Sequence, residues 1–173
     1  MTRRITGGGA AALAAAAVVL ACNGGLGPAT SCPGGRICGT VTFQGAEPDS
    51  TEGVFILAYD TFPQSRAELF NFQPPLPLRS LARPFSGSKA YSITVPNGTY
   101  QWVLAVWQKQ GMLTPTNADT LLRETGFYRD AGDTTSHGSG IVTVNAAAGA
   151  DSIDFVIDFN NMHRVCDYFK PCP

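Results

Sequence analysis

Apolar positions along this chain recur mostly at a period of two. Residues 152–159 alternate most cleanly: Ile153, Phe155, Ile157 and Phe159 point one way, Asp154, Val156 and Asp158 the other. That is the pattern of a strand with one buried face. Residues 37–44 put Val41 and Phe43 on one side, and residues 90–95 set Tyr91, Ile93 and Val95 against Ser92 and Thr94. Residues 53–60 (GVFILAYD) are nearly all apolar, which predicts a strand buried on both faces. Pro96-Asn97-Gly98 predicts a tight turn, because Asn-Gly takes positive φ at little cost. It leads into one long strand over 99–108 (TYQWVLAVWQ), with shorter runs at 121–128 and 140–145. No run sustains a helical period, and residues 146–150 are too few to hold a helix. Seven strand-like runs separated by turns predict an all-β fold, a seven-stranded antiparallel β-sandwich with two long loops. The longest loop, 61–84, carries Pro63, Pro74, Pro75, Pro77 and Pro84 beside Phe62, Phe70 and Phe72.

The start of the chain has a different pattern. Arg3 and Arg4 form a basic head, an apolar run of small residues follows, and it closes on Val19-Leu20-Ala21-Cys22. The run is too short to cross a bilayer core comfortably, and the layout is that of an export signal. It resembles a bacterial lipoprotein signal, which implies cleavage before Cys22 and lipidation of Cys22. In that family Asn at the position of Asn23 implies the outer membrane. The expected organisation is a signal peptide over 1–21, a flexible Gly/Pro-rich tether over 22–36, a sandwich domain over 37–160 and a Cys-containing tail over 161–173. Of the 12 Lys and Arg, two lie in the leader, while all 13 Asp and Glu lie beyond it. The remainder is mildly acidic with no basic stripe, so nucleic acid is not an expected partner.

With Cys22 assigned to the lipid, Cys32, Cys38, Cys166 and Cys172 remain. An even number in an oxidising compartment predicts two disulfides. Both pairs are C-x5-C, wider than the spacing zinc sites use. If consecutive strands are antiparallel, seven strands leave the chain ends at opposite ends of the sandwich. A disulfide needs Cα atoms within about 7 Å, so the local pairs Cys32–Cys38 and Cys166–Cys172 are expected. The same count puts loops 45–52, 97–98 and 129–139 at one end with the C-terminal tail, and loops 61–84 and 109–120 at the other, on the membrane side.

Three pieces together are similar to one family: Gly39-Thr40-Val41 with Gly45, the run from Tyr91 through Pro96-Asn97-Gly98 to Tyr100, and the alternating strand ending at Phe159. They resemble the carboxypeptidase regulatory-like domain. The resemblance implies a transthyretin-like (prealbumin-like), Ig-like sandwich and a non-catalytic module of secreted and surface proteins. Some relatives in that wider fold bind carbohydrate, and others form isopeptide-linked stalks. The lysines here are Lys89, Lys109 and Lys170. None lies on the first strand, which argues against a stalk.

Candidate chemistry is sparse. No G-x-S-x-G or H-E-x-x-H motif occurs, so no catalytic residue is assigned. His137 near Ser139 does not make a dyad by spacing alone. Glu47, Asp49, Glu52, Asp130, Asp133 and Asp167 fall at one end by the strand count, but no calcium-loop motif joins them, and neither a metal nor a cofactor is expected. Trp102 and Trp107 face opposite sides of one strand. Trp102 is assigned to the core, and Trp107, with Phe70 and Phe72, is a candidate contact for a ligand or partner. The expected function is a lipid-anchored binding module of the cell envelope that docks a protein or glycan. A structural envelope protein without a ligand is the alternative, and an enzyme a distant third. The oligomeric state is left open.

Overall fold

The structure, a computed structural model, describes residues 31–132 and 138–170. Its strands are β1 (Arg36–Gln44), β2 (Thr51–Tyr59), β3 (Ser88–Thr94), β4 (Gly98–Tyr100), β5 (Trp102–Lys109), β6 (Leu122–Phe127), β7 (Val142–Val144), β8 (Phe155–Asp158) and β9 (His163–Arg164). Two single-turn helices, α1 (Ala118–Leu121) and α2 (Val165–Tyr168), and one 3-10 turn at Arg66–Phe70 complete it. The fold is all-β, as the period-two pattern requires.

The strands form a three-stranded sheet in the order β3-β1-β8, a four-stranded sheet in the order β2-β5-β6-β9, and a two-stranded ribbon β4-β7. The main core lies between them. Ile37, Val41 and Phe43 of β1, Tyr91 of β3, and Ile153, Phe155, Ile157 and Phe159 in and around β8 bury the faces their alternation assigns. Opposite them stand Val54, Ile56 and Ala58 of β2 and Val103, Ala105 and Trp107 of β5. The Tyr91 hydroxyl donates to the Ile153 carbonyl at 2.7 Å. Tyr100 folds back on its turn and donates to the Pro96 carbonyl at 2.8 Å.

Three expectations are corrected. First, the described residues hold nine strands rather than seven, and they are not all antiparallel: β1 pairs with β8 in parallel, Val41 opposite Phe155 through Gln44 opposite Asp158. Second, the long strand over 99–108 is two. It breaks at Gln101, so that β4 pairs with β7 while β5 enters the four-stranded sheet. Third, loop 61–84 does not cap an end away from the tail. Arg66 donates from Nε and Nη2 to the Phe169 carbonyl at 3.2 and 2.9 Å and pairs with Asp119. The loop therefore shares a face with the C-terminal stretch and with α1. Counting reversals places loops at strand ends, but this loop is drawn across an apolar sheet face that it covers together with the C-terminal stretch.

The loop also protects an edge. β2 is the outermost strand of its sheet. Ala58 exchanges backbone hydrogen bonds of 2.8 Å with Gln73, Leu81 N donates to the Val54 carbonyl at 2.8 Å, and Val54 N donates to Ser80 Oγ at 3.1 Å. A strand edge satisfied by its own loop does not recruit another chain. The stretch expected as tether is part of the domain from Cys32, which is buried and bonded to Cys38. The stretch expected as a separate tail contributes β9 and α2.

The two larger sheets meet where β8 crosses β6 at Gly126. A Cβ there would lie 1.9 Å from the Val156 carbonyl oxygen, and the backbone has φ +152°. Gly126→Ala is expected to cost about 3 kcal/mol or more. Gly87→Ala, also at positive φ but with open space around it, is expected to cost about 1 kcal/mol. Urea unfolding of the two variants checks both. Replacing Cys32 and Cys38 together by Ser is expected to cost roughly 2 kcal/mol, the closure entropy of so short a loop, by the same measurement.

Candidate functional site

The four-stranded sheet is apolar on both faces. Its register aligns Phe55, Val106, Glu124 and His163 in one row across β2, β5, β6 and β9. Leu57, Leu104 and Phe127 form the next row, followed by Tyr59 and Trp102. These side chains lie on the outer face, where Leu57, Tyr59, Trp102 and Leu104 are buried in a second apolar cluster. Two pieces of chain roof it. From loop 61–84 come Phe72, edge-on to Tyr59 at 6.3 Å between ring centroids, and Leu78. From the C-terminal stretch comes Tyr168, 5.6 Å from the Trp102 ring.

Floor and roof do not close completely. Between them lies a cavity of about 300 Å³, at the lower end of the range for small-molecule sites. Leu57, Leu104 and Trp102 line its floor, and Phe70, Phe72 and Tyr168 its cover. Leu76 also lines it and is 70% exposed, which marks the mouth. Phe62 packs against Trp102 with ring centroids 4.7 Å apart and the planes tilted by 35°.

One wall is polar. Glu124 is 7% exposed. Its Oε2 accepts from the Tyr168 hydroxyl at 2.8 Å and lies 2.9 Å from His163 Nδ1. Its Oε1 is buried and has no hydrogen-bond partner. Burial, and then the adjacent carboxylate, push the Tyr168 hydroxyl well above its ordinary pKa, so it stays protonated and donates. The backbone of α2 sets this geometry. The Asp167 carboxylate accepts from Arg164 N at 2.7 Å across the first turn. That bond holds the Asp167 pKa below its ordinary value. Cys166, in the middle of the turn, is buried and disulfide-bonded. Its expected partner Cys172 lies outside the described residues. Arg66 fastens the roof, bonded at once to Asp119 and to the Phe169 carbonyl.

The expected contact residues divide. Phe70 and Phe72 are half-buried and both line the cavity. Trp107 does not, and its assignment as a surface platform is corrected. It is 5% exposed in the main core, and its Nε1 donates to Thr51 Oγ1 at 2.7 Å. Trp102 is buried as expected, yet it belongs to the outer cluster and the cavity rather than to the main core. Alternation separates the two tryptophans correctly, but both faces of β5 are apolar, so alternation does not say which face meets the larger core. The disulfide Cys32–Cys38 forms as expected, with Cα atoms 5.7 Å apart. Cys22, Asp133 and His137 lie outside the described residues. The Ser139 hydroxyl donates to the Gln101 carbonyl. Among the described residues no three His, Cys, Asp or Glu side chains gather as a metal site, and no helix is long and apolar enough to cross a membrane.

The cluster of Glu124, His163 and Tyr168 was not singled out by sequence. Its members are 39 and 44 residues apart and share no motif. The available signal was Glu124, an acid inside a strand-like run. No protein family, curated protein or solved structure matches the chain.

Trp107→Phe is expected to lower stability by about 1–2 kcal/mol through loss of the bond to Thr51. Denaturant unfolding checks this, and a surface tryptophan would give a change near zero.

Proposed function

We propose that this protein is a non-catalytic binding module, held on the cell envelope by a lipid on Cys22, whose ligand enters the apolar cavity on the outer face of the four-stranded sheet. The observation that carries the reading is the cavity itself. A soluble domain ordinarily fills its apolar interior to crystal-like density. Here about 300 Å³ stays open between aromatic and aliphatic walls. Apolar walls with a few convergent polar groups are the usual build of a small-molecule site.

The glycan version of this reading has the weaker footing. Sugars stack on exposed aromatic faces. Trp107 is buried, and Phe70 and Phe72 are half-buried against the cavity. The lipid anchor and the envelope location rest on the signal-like leader, and the kinship with carboxypeptidase regulatory-like sandwiches on the strand–turn–strand motif ending at Tyr100. An apolar ligand is compatible with both, since a protein tethered beside a membrane meets apolar molecules continually.

The test is titration of the purified protein with the neutral fluorescent dye N-phenyl-1-naphthylamine. Saturable binding at one site is expected, with quenching of Trp102 emission. Leu57→Trp, which puts an indole into the cavity floor, is expected to weaken binding by about ten-fold or more. Absence of saturable binding overturns the ligand reading and leaves a structural envelope protein.

A further inference from the structure

We infer that the outer edge of β3 docks an extended acidic segment of a partner protein, which adds to the β3-β1-β8 sheet as a further strand. The direction of the β3 backbone comes first. Opposed residues of an antiparallel pair alternate between those that exchange backbone hydrogen bonds and those that do not. Val95 N donates to the Gly35 carbonyl at 3.0 Å, and Phe43 N to the Gly87 carbonyl at 2.9 Å. These pairs continue the register in which Ile37 stands opposite Ile93 and Gly39 opposite Tyr91. The odd-numbered residues of β3 therefore turn their N–H and C=O groups toward β1, and Ser88, Ala90, Ser92 and Thr94 turn theirs outward. β3 is the last strand of its sheet. Among the described residues, no backbone hydrogen bond meets Ala90, Ser92 or Thr94 from the outer side. The edge of β2 is closed by its own loop, whereas this edge, on a strand of 7 residues, is open. An open edge of that length is a template for another strand.

The surroundings select the guest. Between β3 and residues 77–82 lies a groove of about 380 Å³, to which Ile56, Leu78, Leu81 and Ile93 give an apolar lining. A strand laid along β3 at the usual spacing of about 4.8 Å would rest the side chains of one face there. The charges around it have one sign. Arg79 lines the groove and is exposed, and no acidic residue lines it. Arg36 reaches across the same strand, its Nη1 donating to Ser92 Oγ at 3.4 Å. Lys89 stands on β3 itself. Three cations in a chain whose net charge is −1 favour a partner with carboxylates. The outward N–H groups alternate with outward carbonyls, so the matching ligand is a peptide backbone rather than a bare anion. A second copy of this chain would bring the same three cations to the junction twice, which argues against self-pairing.

The test is titration of the purified protein with two fluorescently labelled peptides, one alternating Val and Glu and one alternating Val and Lys, followed by anisotropy and by residue-resolved amide hydrogen exchange. The glutamate peptide is expected to bind saturably, about ten-fold or more tighter than the lysine peptide. Exchange at the Ala90, Ser92 and Thr94 amides is expected to slow by about ten-fold or more when it binds. Arg79→Glu is expected to weaken the glutamate peptide by about ten-fold. Ser92→Pro removes one outward N–H and leaves the bonds to β1 in place, a substitution edge strands accept, and it is expected to weaken both peptides. Equal affinity for the two peptides overturns the inference, and so does binding that leaves the three amides exchanging at their free rate. A dimer in sedimentation velocity whose contact protects the same amides assigns the edge to a second copy and overturns it too. If Ser92→Pro does not fold, the exchange rates of the native protein decide. The outcome is independent of the dye titration, which reads the cavity on the outer face of the other sheet.

Discussion

A β-sheet that is apolar on both faces must be covered on both, and in this protein that requirement shapes nearly everything outside the main core. The inner face of β2-β5-β6-β9 is covered by the opposing sheet. The outer face, carrying Leu57, Tyr59, Trp102 and Leu104, is met by no other sheet among the described residues. Water against that much apolar surface is unfavourable at roughly 25 cal/mol for each Å². Loop 61–84 and the stretch after β8, far apart in the sequence, are both drawn over it, and Arg66 joins them through the Phe169 carbonyl. The covering is made of irregular chain rather than a second regular layer. Irregular chain fits a pleated surface less closely, and the cavity is the space left over.

This accounts for what the sequence disclosed and what it hid. The strand over 53–60 was legible as buried twice, because GVFILAYD has no polar face to offer. The alternation at 152–159 was legible for the opposite reason. The parallel pairing of β8 with β1 was not, since period-two patterning fixes which face is buried and says nothing about direction. The break at Gln101 was also hidden: Tyr100 and Trp102 continue the alternation while changing sheets. At the site, Phe70 and Phe72 stood out by composition. Glu124, His163 and Tyr168 did not, because the strand pattern ends at Phe159 and leaves the last two beyond it. Short elements such as a two-residue strand and a single helical turn leave almost no periodic trace.

Polar groups in this roof carry a larger share of the specificity than their number suggests. Leu, Phe and Trp surfaces slide over one another at small cost, whereas a carboxylate shared by a tyrosine hydroxyl and an imidazole admits one arrangement. Glu124 therefore fixes how α2 sits on the sheet, and Asp119 fixes how the 3-10 turn at Arg66–Phe70 sits beside it. Apolar burial supplies the attraction in this layer, and two carboxylates determine its geometry.

The parallel pairing of β1 with β8 bears on how the chain is made. β1 is the middle strand of its sheet, and one of its two neighbours is β8, more than a hundred residues later. During synthesis β1 can pair with β3, but its second edge stays open until residues 155–158 have emerged, and the roof waits longer still for Phe169. Contacts of such long sequence separation form slowly. The nascent domain thus remains unclosed until those late residues have been made, the state in which a polypeptide can still be threaded through a narrow pore.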